Sequence, residues 1–324
     1  MRTKRIFICR LIDGVTVIMR NVTRILTLKN GYHIWTHTNN LGGKTKLLCL
    51  HGGPGDTHEV FEQFGPELAA LDIEVTMYDQ LGSWYSDTPD WDDPTVKADY
   101  LTEAYYLSEV DEVRQLLGYD HYFLAGHSWG GMLAMAYAAQ HQEQLAGLII
   151  ISMIDNIPDY VAHLKEIRAA EFSPAENAFM DDIERRGQWS NPHYRQLITH
   201  LYHGYVNRRQ PEMMSHNIDI QAKPVYNHFQ GDNEFVVEGD LGNWDFSKQL
   251  KTIQLPTLLS FADHETMPLA TAQRMQRDMP NAQLVVTPNS GHNHMVDNPE
   301  VFFTNLKNYF LDLQHGTFNQ IKGD

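Results

Sequence analysis

An apolar run, His121-Tyr122-Phe123-Leu124-Ala125, leads into Gly126-His127-Ser128-Trp129-Gly130-Gly131, and an Ala-, Met- and Leu-rich stretch from Met132 to Gln140 follows. The run reads as a buried strand and the stretch after it as a helix. A Gly-x-Ser-x-Gly pattern between a strand and a helix puts its serine on a sharp turn. Small residues at 126 and 130 let the backbone bend tightly enough to present the Ser128 hydroxyl. Glycine and serine are common in ordinary turns, so the pattern gains its weight from the strand before it and the helix after it. Ser128 is therefore the candidate nucleophile.

The surrounding chain repeats the same strand-helix rhythm. Residues 22–37 read as a hairpin, with alternating apolar residues on either side of Asn30-Gly31. Strands are then expected at Lys46-Leu50, Ile73-Tyr78, His121-Ala125 and Leu148-Ser152. A helix is expected over Thr102-Leu117, where Tyr106, Val110, Val113 and Leu117 form one apolar face. The rhythm lapses over residues 155–245, which hold helix-like stretches such as Tyr160-Ala170 and Pro174-Arg186. It resumes with Leu255-Ser260, Ala270-Asp278, Gln283-Thr287 and Pro299-Leu313. This alternation predicts an α/β fold with a mostly parallel sheet and helices on both faces. The core is expected to comprise residues 19–154 and 246–324, with 155–245 a helical cap over the sheet's carboxyl edge, where such folds bind ligands. Internal repeats and low-complexity tracts are not evident.

Residues 1–18 read as an extension of uncertain status, to which no function is assigned. Met1 to Arg5 is basic and Ile6 to Cys9 apolar, but Arg10 and Asp13 interrupt the run well short of a signal peptide's length. No later stretch approaches the length of a membrane span. The 324 residues carry 25 Lys+Arg against 41 Asp+Glu, a net charge of −16. That balance argues against nucleic acid and anionic membranes as partners. It is mildly compatible with a cationic substrate, although a solvated acidic surface is the better account of it. Cys9 and Cys49 are the whole cysteine complement, which provides no disulfide framework and suits a reducing cytoplasm. A homo-oligomer is allowed but not required.

A serine hydroxyl needs a general base, usually a histidine oriented by a carboxylate. In an α/β hydrolase these occur in the order serine, acid, histidine. His292 follows the last core strand in Ser290-Gly291-His292, with His294 as its competitor. The acid belongs just past the strand at 256–261, in Ala262-Asp263-His264-Glu265-Thr266-Met267-Pro268. Asp263 is the expected acid and Glu265 the alternative. His51-Gly52-Gly53-Pro54-Gly55 can turn a backbone N–H toward a developing oxyanion, with a second donor from the residue after the serine, which assigns Gly53 and Trp129. The loop lacks the Gly-Lys-Ser/Thr or Gly-x-Gly-x-x-Gly of nucleotide sites. A His292-x-His294 zinc site lacks a supporting HExxH motif or cysteine cluster, so no metal and no cofactor are expected.

Together these residues resemble the prolyl aminopeptidase (proline iminopeptidase) family of serine peptidases. The resemblance rests on His51-Gly52-Gly53-Pro54-Gly55, Tyr78-Asp79-Gln80-Leu81-Gly82, Gly126-His127-Ser128-Trp129-Gly130-Gly131, Gly231-Asp232-Asn233-Glu234-Phe235 and Ser290-Gly291-His292. It runs from about Ile25 to the last helix. Details such as Asp79 to Asp87 and His264 to Pro268 look closest to the bacterial prolinase branch, which cleaves Pro-x dipeptides. The resemblance implies release of amino-terminal proline from di- or short peptides. It also implies that Glu234 and Glu265 bind the substrate's amino group. His264 occupies the position that usually carries the triad aspartate; if Glu265 reads the amine, Asp263 is left for the triad. Ser83-Trp84-Tyr85 replaces a smaller turn, and its rings are candidates for lining the proline pocket. A carboxylesterase on the same scaffold is the alternative function.

Overall fold

The structure, a computed structural model, describes residues 4–12, 15–209, 216 and 218–318, with side chains from residue 20 onward. Its sheet has nine strands: β1 (Lys4–Ile12), β2 (Val15–Thr27), β3 (His33–Asn39), β4 (Thr45–Leu50), β5 (Ile73–Tyr78), β6 (Tyr122–His127), β7 (Leu145–Ile151), β8 (Thr257–Ala262) and β9 (Ala282–Thr287). Their order is β1-β2-β3-β5-β4-β6-β7-β8-β9. The first three strands and β5 pair antiparallel, and every later pairing is parallel.

The Asn30-Gly31 turn joins β2 to β3 as expected, with Thr27 opposite His33 and Gly31 at φ +91°. Within the extension, residues 4–12 form β1 and residues 15–18 begin β2, the two paired from Lys4 opposite Thr23 to Ile12 opposite Val15. Residues 1–3 and 13–14, and the side chain of Cys9, lie outside the described residues, whereas Cys49 is a buried free thiol.

Leu148, Ile149, Ile150 and Ile151 in β7 are fully buried, because helices cover both faces of the parallel sheet. On one face Tyr106, Val110 and Val113 of the helix Glu103–Leu117 pack with Met132, Leu133 and Met135 of the helix Trp129–His141. On the other, Phe302, Phe303, Leu306 and Phe310 of the helix Pro299–His315 pack with Phe61 and Phe64. The chain runs from β4 to β5 on one side and then crosses to β6 on the other. The strand order therefore reverses at β4, and a crevice opens beyond the carboxyl ends of β4 and β6. His51 to Gly55 and Ser128 lie there.

Between β7 and β8 the chain forms the helices Ile157–Glu171, Pro174–Arg185, Pro192–Tyr205 and Lys223–Phe229. The first begins earlier than its apolar pattern suggested because the Asn156 side chain caps it, accepting from Asp159 N–H. Ser173 and Glu176 form a reciprocal capping box at the second. Arg274 grips the fully buried Asp155 through two bonds of 2.7 and 2.8 Å, fixing the start of this helical segment to the helix Leu269–Asp278. Among the described residues no helix is long and apolar enough to cross a membrane.

Candidate active site

Ser128 sits at φ +52° and ψ −123°, between β6 and the helix Trp129–His141. A non-glycine residue there costs about 1–3 kcal/mol and persists only where its surroundings impose it. The backbone imposes it here: Ser128 N–H donates to Ile151 O at 2.9 Å, and Ser128 O accepts from Gly131 N–H at 2.7 Å. A Cβ at Gly126 would lie 2.0 Å from Gly130 O, and one at Gly130 would lie 2.0 Å from Leu50 O. The two glycines of the pattern are thus close-approach residues that let the helix start press against β6 and β4.

The glycine-rich loop is fixed from beneath. Gln80 N–H donates to His51 Nε2 at 3.0 Å, so that nitrogen is the acceptor and Nδ1 carries the proton toward Gly52 O, 2.9 Å away. Burial pushes the His51 imidazole down to about 4 and keeps it neutral. The Gln80 amide donates to His51 O at 3.0 Å and accepts from Trp129 Nε1–H at 2.9 Å. One side chain therefore ties the loop carrying Gly53 to the helix start carrying Trp129. Trp129 N–H, in the first helical turn, has no intrahelical acceptor. Behind them, buried Glu109 accepts from Leu81 N–H at 3.1 Å and Tyr105 OH at 3.2 Å, and burial lifts its carboxyl to about 8. The Tyr78 to Gly82 motif carries no sequence signal of these supporting roles. Glu109 gave only the signal of a carboxylate beside an apolar helical face.

His292 is set by its backbone: its N–H donates to Tyr205 O at 2.8 Å, and its carbonyl accepts from Ser152 Oγ at 3.0 Å. Its Nδ1 lies 3.3 Å from Glu265 Oε2 and 3.3 Å from Thr266 Oγ1. Its Nε2 is buried and finds no hydrogen-bond partner among the described residues, and His292 and Ser128 line the same cavity. Burial lowers the His292 pKa, but the Glu265 hydrogen bond and the charges of Glu234 and Glu265 outweigh it, and the net direction is upward.

The expected acid, Asp263, faces elsewhere. It accepts from Asn289 N–H at 2.9 Å and Ser290 N–H at 3.1 Å, and pairs with His264 at 2.9 Å. Its short side chain leaves the end of β8 beside the turn after β9 and is captured by those backbone donors. Glu265, two residues on and longer, folds back under His292, and its other oxygen accepts from Ala262 N–H at 2.5 Å. Both Glu265 oxygens are thus engaged, one at His292 and the other at the end of β8. His294 is buried against Phe302, with Nδ1 3.0 Å from Thr287 Oγ1, and burial drops its pKa to about 3.

Two cavities meet at Gly53, Ser128 and Glu234. One has Met132, Met153, Ile157, Leu241 and Met267 in its wall; the other has Asp56, Tyr202, Asn207, Gln221 and His292. Glu234 Oε1 accepts from Tyr160 OH at 2.8 Å and Thr266 Oγ1 at 3.1 Å, while its N–H donates to Tyr202 OH at 3.0 Å. The rings of Trp84 and Tyr85 do not line these cavities. Both are exposed, and Tyr85 packs on Trp35 with ring centroids 5.4 Å apart.

The α/β hydrolase fold family matches residues 46–299. The proline iminopeptidase of Elizabethkingia meningoseptica is 31% identical over 302 residues, covering 91% of this chain and 99% of its own. Among solved structures, VinJ matches with a TM-score of 0.83 at 26% identity, over 90% of this chain and 98% of its own. A proline iminopeptidase from Mycobacterium smegmatis gives 0.77 at 25% identity, over 91% and 99%. Similarity on this scale takes in the helices between β7 and β8 as well as the sheet, and the chain belongs to the proline iminopeptidase family of α/β hydrolases, as a serine hydrolase of that kind.

Proposed function

We propose that this enzyme releases an amino-terminal proline from short peptides through a prolyl-enzyme intermediate. Ser128 Oγ attacks the prolyl carbonyl carbon while His292 Nε2 takes the hydroxyl proton. The N–H groups of Gly53 and Trp129 hold the resulting oxyanion. The C–N bond then breaks, and His292 returns the proton to the departing amine. Water, deprotonated by His292, hydrolyses the prolyl ester and frees Ser128. Glu265 holds the Nδ1–H of His292 and stabilises the imidazolium; Asp263 instead anchors the turn that carries His292. The steps need no cofactor. Residues 155–245 act as a cap over a core of 19–154 and 246–324, closing the site from above. Two cysteines, with Cys49 buried as a free thiol, suit a reducing cytoplasm.

The observation that carries this proposal is the setting of Glu234. Its carboxylate borders both cavities at Ser128 and is held by tyrosine and threonine hydroxyls. Such donors orient a carboxylate without neutralising it, which leaves its charge available to a substrate ammonium. The apolar cavity beside it suits a pyrrolidine ring. An esterase needs no such acid.

Turnover of proline-p-nitroanilide and p-nitrophenyl acetate tests the proposal. Efficient hydrolysis of the anilide, abolished in a folded Ser128→Ala variant, is expected. Cleavage of the ester alone, or an active Ser128→Ala variant, contradicts it.

A further inference from the structure

A peptide bond held at Ser128 sends its two sides apart, the proline ring one way and the residues to be released the other. The methionine-lined cavity suits the ring. The second arm passes Asp56, His127, Asn207 and Asn293 and continues into a hollow bounded by Glu59, Val60, Ile220 and Val296. Asp56 stands at its entrance beside the glycine-rich loop: a Cβ built on Gly53 would lie 3.2 Å from Asp56 Cγ. The Asp56 carboxylate accepts from Gln221 Nε2 at 2.7 Å, an uncharged donor. Lys223 donates to the other end of that amide, Gln221 Oε1, at 2.9 Å, and its charge, like that of His292, acts on Asp56 from a distance without a direct contact. Glu59 meets His216 at 2.9 Å. No Lys or Arg lines either part of the arm among the described residues. His292, which returns the proton to the departing amine in the proposed reaction, lines the same arm, and its buried Nε2 has no hydrogen-bond partner among the described residues.

We propose that this arm is the subsite for the residue released after proline, and that Asp56, with Glu59 behind it, favours a cationic side chain there and disfavours a free carboxylate. Its role rests on the proposed proline-releasing reaction. A Pro-x dipeptide brings its α-carboxylate into this arm, toward Asp56 and with no Lys or Arg in the described lining to pair with it, so amides and longer peptides are better substrates than free dipeptides. A lysine or arginine in the second position meets Asp56 directly. Burial raises the Asp56 carboxyl, the Gln221 bond opposes the rise, and a substrate cation favours the ionised form further.

The test compares kcat/KM for prolyl-lysine amide, prolyl-norleucine amide, prolyl-glutamate amide and free prolyl-norleucine, with proline-p-nitroanilide alongside. The lysine amide is expected to exceed the norleucine amide by about tenfold, and the norleucine amide to exceed the two carboxylate-bearing substrates by about tenfold. Both ratios shrink between roughly 0.02 and 0.5 M salt, as partly exposed charges are screened. Asp56→Asn lowers the lysine-to-glutamate ratio by about tenfold, and Asp56→Glu preserves it. The salt series on the wild type tests the subsite without relying on either variant. Equal kcat/KM across the amides at low salt, with proline-p-nitroanilide still cleaved, overturns the subsite but not the reaction. An unchanged ratio in Asp56→Asn overturns the role of Asp56. Failure to cleave proline-p-nitroanilide overturns the reaction itself.

Discussion

Glu265 and Asp263 are two residues apart, and their carboxylates reach different partners: His292 Nδ1 for one, the Asn289 and Ser290 N–H groups for the other. The consequences of removing each charge therefore separate. Glu265→Gln is predicted to cut kcat by about 10³–10⁴-fold, the scale of losing the orienting acid of a triad. Asp263→Asn is predicted to lower kcat by less than about tenfold and stability by about 1 kcal/mol, because weaker acceptors then hold the turn. Steady-state kinetics and urea unfolding on both variants check this. The pH profile follows from the upward direction at His292. The base must be neutral to act, so kcat/KM rises with pH through a value above the ordinary histidine value of about 6.5. In Glu265→Gln the carboxylate that favours the imidazolium is gone, and this acid limb moves to lower pH. An acid limb that stays in place contradicts the pairing. The places of Ser128 and His292 at the ends of strands were legible because each lies in a short motif. Which carboxylate reaches His292 was not, because that depends on side-chain reach across a turn that the backbone of another loop contacts.

At the level of elements, the elbow and the first hairpin use glycine for different reasons. Gly31 needs its positive φ but has open space around it, whereas Gly130 has Leu50 O where a Cβ would go. Gly31→Ala is predicted to cost about 1–2 kcal/mol, the strain of a left-handed backbone alone. Gly130→Ala costs about 3 kcal/mol or more, because two backbone segments must separate. Denaturant midpoints of the two variants give the comparison, and equal losses contradict it. The strands and helices of the alternating segments were readable from apolar periodicity, including β5 over Ile73–Tyr78. The pairing of residues 4–12 with β2 was not, because a short apolar run beside arginines carries no record of the strand it joins.

Across the whole molecule, the crevice at the strand reversal collects residues from distant parts of the chain. Gln80 joins the loop after β4 to the helix after β6, and Arg274 grips Asp155 across 119 positions. Such long-range contacts leave no local pattern, which is why what holds the helical segment down was not readable from the sequence. Glu234, within that segment, was marked by its resemblance to a motif; its tyrosine and threonine partners emerged only with the fold. Its proposed role is the step from a serine hydrolase to an enzyme that reads a free amino terminus. The direct test is kcat/KM for proline-p-nitroanilide against N-acetylproline-p-nitroanilide, in wild type and Glu234→Gln. The mechanism predicts that wild type prefers the free amine and that Glu234→Gln loses about thirtyfold or more of that preference. Equal turnover of the two substrates by wild type, or an undiminished preference in Glu234→Gln, contradicts it.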